Sequence, residues 1–70
     1  MPFRIKVRLT ELGRSQVDLI AAIREKYNIK IDPAELSKIL RGTLQTPKAE
    51  KVLSAAHEIV SSWELEQHRA

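Results

Sequence analysis

The sequence has no cysteine, only two glycines and three prolines, and one residue each of tryptophan, tyrosine and phenylalanine. Without cysteine the chain forms neither a disulfide nor a thiolate metal site, and two glycines are too few for a glycine-rich phosphate loop. No apolar run approaches the ~18 residues that span a membrane, and the start "MPFRIKVRL" does not have the continuous apolar stretch of a signal peptide. We therefore expect one small cytosolic domain over residues 1–70, with no membrane contact.

The chain also lacks the residue spacings on which metal binding and catalysis usually depend. His57 and His68 lie eleven residues apart, about 16 Å along a helix, which is too far to share a metal ion. Glu64 and His68 would supply only two ligands. No serine or threonine has a base and an orienting carboxylate at a recognisable spacing. The sequence therefore predicts no enzymatic activity, no metal or other cofactor and no small-molecule ligand.

Charge is distributed unevenly along the chain. Residues 1–48 contain ten Lys/Arg and five Asp/Glu, a net charge of +5, whereas residues 49–70 contain two and four, a net charge of −2. A basic body suggests a polyanionic partner for the first two-thirds of the chain. Small domains with other roles often carry a similar excess of positive charge, so charge alone does not identify the partner.

Apolar spacing and helix-end residues predict an all-α fold, a small bundle of four main helices with a long C-terminal helix. The predicted helices cover residues 3–12, 15–27, 33–41 and 47–67. The first is ambiguous, because the alternating apolar residues of "FRIKVRL" fit a strand, whereas Ile5, Leu9 and Leu12 share one helix face. Gly13 is a C-terminal stop signal, and together with the helical pattern of the remaining chain it favours a helix.

Residues that favour helix ends define the second and third helices. Ser15 is a good N-cap, and Asn28 can take the left-handed conformation that ends a helix. Asp32 is an N-cap for the third helix, Pro33 occupies its first position, and Gly42 follows its end. The third helix is therefore too short to be stable alone and must pack through its apolar residues. The apolar stripe predicted for the second helix comprises Val17, Leu19, Ile20, Ile23 and Tyr27.

The strings "LGRSQVDLIAAI" and "LSKILRG" resemble the phage repressor and Cro family of helix-turn-helix proteins (the XRE type). In that family the first motif helix typically begins with Ser/Thr-Gln, here Ser15 and Gln16, and the recognition helix ends close to "IS.IERG", here residues 36–42. The resemblance covers roughly residues 4–60 and implies a λ-repressor-like fold with residues 33–41 as recognition helix. The segment "REKYNIKID" makes the turn longer than in the family, and Leu40 stands where the family usually has glutamate.

The resemblance implies binding of double-stranded DNA, with base-facing residues Pro33, Ala34, Glu35 and Lys38. It implies phosphate contacts from Gln16, Ser37, Arg41, Thr43 and Lys48, with possible flank contacts from Arg14, Lys26 and Lys30. Lys38 can donate to guanine, Glu35 can accept from cytosine, and Ala34 can touch a thymine methyl group. The alternatives are that Glu35 only completes the cap, that Pro33 only starts the helix, and that Lys38 and Arg41 form an ordinary solvated face.

The resemblance also implies a homodimer, since one module of this size buries too little DNA surface for high specificity. Ile59, Val60 and Trp63 are predicted to lie beyond a small core and to form the dimer interface. The alternative is that Trp63 packs back on the first helix and covers Phe3 or Ile5. The resulting hypothesis is a sequence-specific phage- or prophage-type transcriptional regulator of the bacterial nucleoid or the phage-infected cell. The alternative function is a protein-interaction module, such as an antirepressor or adaptor, on the same fold.

Overall fold

The computed structural model of the chain describes residues 4–67, which form four α-helices and no strand. Helix α1 covers Ile5–Leu12, α2 covers Gln16–Tyr27, α3 covers Pro33–Arg41 and α4 covers Pro47–Gln67. The predicted all-α bundle with a long C-terminal helix is confirmed, and the bounds of α3 and α4 agree with the prediction. Helix α2 begins one residue later than predicted because Ser15 is its N-cap. The predicted start of the first helix at residue 3 lies outside the described residues.

The starts of α2 and α3 are fixed by side chains that bind backbone N–H groups. Ser15 Oγ accepts from the Asp18 N–H at 3.3 Å, and the Asp18 carboxylate accepts from the Ser15 N–H at 3.1 Å, which completes a capping box. At α3 the Asp32 carboxylate accepts from the Glu35 N–H at 2.7 Å. The Glu35 carboxylate bonds instead to a side chain of α4. Both helices therefore begin at a satisfied cap.

Left-handed residues end the first three helices. Gly13, Asn28 and Gly42 have φ values of 71°, 57° and 80°. Glycine adopts this conformation without a Cβ clash, and asparagine tolerates it better than most residues. The N–H of Gly42 and that of Thr43 donate to carbonyl oxygens in the last turn of α3. The predicted end signals thus set the lengths of α1, α2 and α3.

Helix α4 is the centre of the bundle, because α1, α2 and α3 all pack against it, and α2 also packs against α3. The largest fully buried side chains are Leu19, Ile23, Leu36, Ile39, Val52 and Val60. Within residues 4–67 no polar or charged residue is fully buried. In the same range no helix is long and apolar enough to cross a membrane. The core is thus entirely apolar, and it stabilises the nine-residue α3, which would be marginal in isolation.

A polar cluster joins α1 to α4. Arg8 Nε donates to a carboxylate oxygen of Glu64 at 3.0 Å, and Arg8 Nη2 donates to the other oxygen. Nη2 also donates to Ser61 Oγ at 3.0 Å, and Nη1 lies 3.1 Å from His57 Nδ1. The hydrogen bond to Glu64 raises the pKa of Arg8, with a smaller opposing effect of burial. A charged, bidentate contact therefore holds α1 on α4.

The apolar stripe predicted for α2 is too broad at both ends. Val17 is 64% exposed, and Tyr27 is 38% exposed. Leu19 and Ile23 are buried, as predicted, and Ile20 is half-buried against the core. Val17 lies on the same side of α2 as Ala21 and Arg24, four and seven residues later, and all three residues are exposed, so this side of the helix faces solvent.

The prediction that Ile59 and Val60 lie beyond the core is wrong. Both residues are buried within the single chain, on a helix against which α1 and α2 pack, and Ile59 borders the same groove as Ala22 of α2. Neither side chain is therefore available on the surface for a dimer. Trp63 is half-buried against the core, and the Arg14 guanidinium lies 4.5 Å from the centre of its ring. Of the two residues that Trp63 was predicted to cover in the alternative, Ile5 is buried in the core and Phe3 lies outside the described residues.

Candidate nucleic-acid interface

Helix α3 turns one face to the core and the opposite face to solvent. Its buried side chains are Leu36, Ile39 and Leu40. Its exposed residues include Pro33, Ala34, Lys38 and Arg41, while Ser37 and Glu35 are half-buried. Ala34, Lys38 and Arg41 are spaced four and three residues apart, so they form one stripe along the helix. We call this exposed stripe the outer face of α3. It places two cations on a helix whose two ends and inner side are fixed.

Charge changes sign along α3. Asp32 and Glu35 lie at its N-terminal end, whereas Lys38 and Arg41 lie in its last turn. This order complements the helix dipole, which is a sufficient structural reason for it. It also has a consequence for any polyanion, which is attracted to the C-terminal half of α3 and repelled by the carboxylates at its start.

The structure pairs two of the predicted site residues with each other. Lys48 Nζ, in the first turn of α4, lies 3.3 Å from Glu35 Oε1. The two side chains remain 49% and 29% exposed, respectively. The sequence predicted that Glu35 faces base edges and that Lys48 binds phosphate, but here each neutralises the other. The alternative prediction was that Glu35 completes the cap. Its backbone N–H does so by donating to Asp32, whereas its carboxylate contacts Lys48.

Two predicted phosphate contacts are placed less favourably than expected. The Thr43 hydroxyl donates to the Lys38 carbonyl oxygen at 3.0 Å, and the Thr43 N–H donates to the same oxygen. Its hydroxyl hydrogen is therefore already used at the end of α3. Gln16 is half-buried at the first position of α2, beside the Asp18 carboxylate of the capping box. That carboxylate puts a negative charge where a phosphate would approach the helix.

The predicted flank residues are all exposed, but two of them lie beside side chains of α4. Arg14 stacks over the ring of Trp63, and Lys26 borders a groove together with Trp63 and Ser62. Lys30 is exposed in the linker before α3. The structure therefore associates Arg14 and Lys26 with the tryptophan rather than with the outer face of α3.

A second surface feature, which sequence reasoning missed, is a groove between the end of α2 and α4. It has a volume of about 630 Å³, and Tyr27, Ile29 and Ala55 contribute apolar surface to it. Glu50 and Glu58 stand on its border. Tyr27 is the last residue of α2, and Ile29 belongs to the segment between α2 and α3.

The Arg8 cluster is the other arrangement that sequence reasoning missed. A signal was present, since His57, Ser61 and Glu64 are spaced four and three residues apart and so share one face of α4. Within residues 4–67 no three histidine or carboxylate side chains are close enough to hold a metal ion. His68, which was considered together with Glu64, lies outside the described residues. The cluster thus serves to join two helices.

A short capped helix between two longer ones does not by itself define a family, because many small bundles contain one. The resemblance to the phage repressor and Cro family depends on Ser15–Gln16 and on residues 36–42. In the structure these residues lie at the start of α2 and over the second half of α3. Comparisons with models of protein families, with curated proteins and with solved structures found no match to this chain.

Proposed function

We propose that this chain binds double-stranded DNA through the outer face of α3. The observation that carries the proposal is a core-anchored helix, capped at both ends, that exposes Lys38 and Arg41 on one stripe. A helix is about 10–12 Å in diameter with its side chains and so fits a major groove about 12 Å wide, and nine residues give it a length of about 13 Å within that groove. The net charge of +5 on residues 1–48 would supply the attraction to phosphates.

In this proposal the second half of α3 reads the DNA. Lys38 donates to guanine O6 or N7, and Ala34 contacts a thymine methyl group when the sequence offers one. Arg41 binds a phosphate or a further base edge. By resemblance we propose a phage- or prophage-type transcriptional regulator that acts as a homodimer on two half-sites. The buried Ile59 and Val60 have no part in the dimer contact.

The experiment that tests DNA binding is a titration of salt against affinity for a random-sequence duplex. Contacts with three or four phosphates make log K fall with log salt at a slope of about −2.7 to −3.6. The reason is that each neutralised phosphate releases its condensed counterion. Fluorescence anisotropy of a labelled duplex measures the slope directly. An affinity that does not change with salt would contradict the phosphate contacts on which the proposal depends.

Lys38→Ala tests the base-reading role on duplexes selected from a random pool. We expect a loss of about 1–3 kcal/mol on the selected duplex and a smaller loss on random DNA, because a base contact counts only at its own sequence. Lys51→Ala is the matched control, since Lys51 is an exposed cation on α4 and the change in net charge is identical. Equal losses for Lys38→Ala on both duplexes would remove Lys38 from base reading.

The groove beside Tyr27 supports a second candidate function, a protein-interaction module. Its lining combines apolar surface with two carboxylates and the cation Lys51, which suits a partner helix that carries an apolar side chain between charged residues of both signs. Binding of such peptides would be lost in Tyr27→Ala and kept in Lys38→Ala. The opposite pattern on duplex DNA would favour the first proposal.

A further inference from the structure

The ion pair between Glu35 and Lys48 joins the first turns of two helices at the border of the outer face of α3. Its two charged atoms are 3.3 Å apart. The backbone of Glu35 is fixed by the Asp32 cap at 2.7 Å. The start of α4 is fixed by Thr46, whose hydroxyl oxygen accepts from the Ala49 N–H at 3.0 Å. Both partners therefore extend from well-defined positions, and the pair is a consequence of how α3 meets α4.

Stability alone does not require this pair. Both side chains are partly exposed, and exposed ion pairs shift the folding equilibrium by about fivefold at most. Helix α3 is already held by its caps and its three buried side chains. What the pair does change is the charge next to the outer face, because it occupies a lysine that would otherwise be free to bind a phosphate.

We infer that Glu35 restrains DNA binding by holding Lys48 away from the phosphate backbone. The inference rests on the proposed function and assigns Glu35 a positioning role instead of a base-reading one. A phosphate near Lys48 must displace the Glu35 carboxylate, and the displaced carboxylate then repels that phosphate at short range. The cost is the same for every DNA sequence, because phosphates carry no sequence information.

The consequence of this restraint is a lower affinity for every duplex by the same factor, which leaves the ratio of specific to random affinity unchanged. Phosphate contacts supply most of the binding to random DNA, and a genome offers a great excess of such sites. Removing one phosphate contact from the protein lowers binding to all of them. The base contacts proposed for Lys38 are unaffected, so the preference for a selected sequence is kept while the protein is held less tightly on random DNA.

Glu35→Gln tests the inference, since glutamine keeps the size of the side chain and removes its charge. On a random duplex we expect binding to become about 5–10-fold tighter at about 0.1 M salt, with a salt slope steeper by about 0.9, because Lys48 gains one phosphate. Glu50→Gln is the matched control. Glu50 is an exposed carboxylate in the same first turn of α4 and forms no salt bridge within residues 4–67. Its removal should change affinity by less than about twofold, through screened long-range charge alone, and should leave the slope unchanged.

The double variant Glu35→Gln/Lys48→Gln identifies the group that causes the gain. We expect it to lose both the tighter binding and the steeper slope. The inference would be overturned if Glu35→Gln gained no more than Glu50→Gln, or if the gain persisted without Lys48. A loss of binding by Glu35→Gln only on a selected duplex would overturn it too, since Glu35 would then read a base. Absence of salt-dependent duplex binding by the unchanged protein would instead reject the proposed function itself, and the inference with it.

Discussion

Single residues in a left-handed conformation decide where α1, α2 and α3 stop. Gly42 is the most consequential of them, because it ends the helix that carries the proposed DNA contacts. Its φ is 80°, and a Cβ added there would meet no atom within 4 Å. Any cost of a side chain at this position therefore comes from the backbone conformation alone and not from crowding.

Gly42→Ala should destabilise the protein by about 1–2 kcal/mol, which is the cost of the left-handed conformation for a residue with a Cβ. Gly42→Asn should cost clearly less, because asparagine accepts this conformation, as Asn28 does at the end of α2. Urea unfolding followed by circular dichroism measures both values. If alanine and asparagine were equally costly, backbone conformation would not be the reason for glycine here.

The roles of single residues could be predicted from the sequence wherever the cause of the role is local. Ser15, Asp32 and Gly42 each act within four residues of their own position, so their roles follow from the string itself. The Glu35–Lys48 pair spans 13 residues and the Arg8–Glu64 pair spans 56. These pairs depend on how the helices dock, which no local pattern contains.

At the scale of an element, the sequence predicted the helices better than it predicted which face of each helix is buried. The stripe of α2 included Val17 because its spacing fits a helix face. Val17, however, shares its side of α2 with Ala21 and Arg24, which are exposed as well, and it stays 64% exposed. Spacings of three and four residues therefore extend a predicted stripe past the edge of the buried side, and only tertiary packing shows where that edge lies.

The contact of Arg8 with Glu64 is an important part of what holds α1 on α4, because few residues of α1 are buried. Only Ile5 and Leu9 of its eight residues are buried. Arg8→Lys removes the bidentate geometry of the contact with Glu64, and we expect α1 to open more readily, by about 1–2 kcal/mol. Hydrogen exchange of the amides in the last turn of α1 should therefore become about tenfold faster, while the amides of α3 change little.

Lys6→Gln is the control for this prediction, because Lys6 is an exposed cation on the same helix. The raised pKa of Arg8 gives a second check. The contact between charged Arg8 and Glu64 stabilises the fold fully at pH values below the ordinary pKa of arginine. This stabilisation is lost only as pH rises through the raised pKa of Arg8. The difference between the unchanged protein and Arg8→Lys should thus be equal at about pH 8 and about pH 9, both of which lie below the ordinary pKa of arginine. Equal exchange in Arg8→Lys and Lys6→Gln would show that the cluster does not hold α1.

At the scale of the whole molecule, the length of α4 was the feature most open to misinterpretation. The sequence predicts that Ile59, Val60 and Trp63, in the second half of this 21-residue helix, lie beyond a small core and contact a partner chain. In the structure α1 lies on this second half, with Arg8 in contact with His57, Ser61 and Glu64. The depth of a core depends on where each helix packs, and that is a property of the assembled fold.

Val60→Ala distinguishes a core position from an interface position. Val60 is fully buried within one chain, so the loss of its two methyl groups should cost about 1.5–3 kcal/mol. Because this burial involves no second molecule, the loss should be the same at every protein concentration. Urea unfolding over a hundredfold range of concentration, with the exposed Val17→Ala as control, measures it. A loss that appeared only at high concentration would place Val60 in a subunit interface, and a negligible loss at all concentrations would place it outside the core.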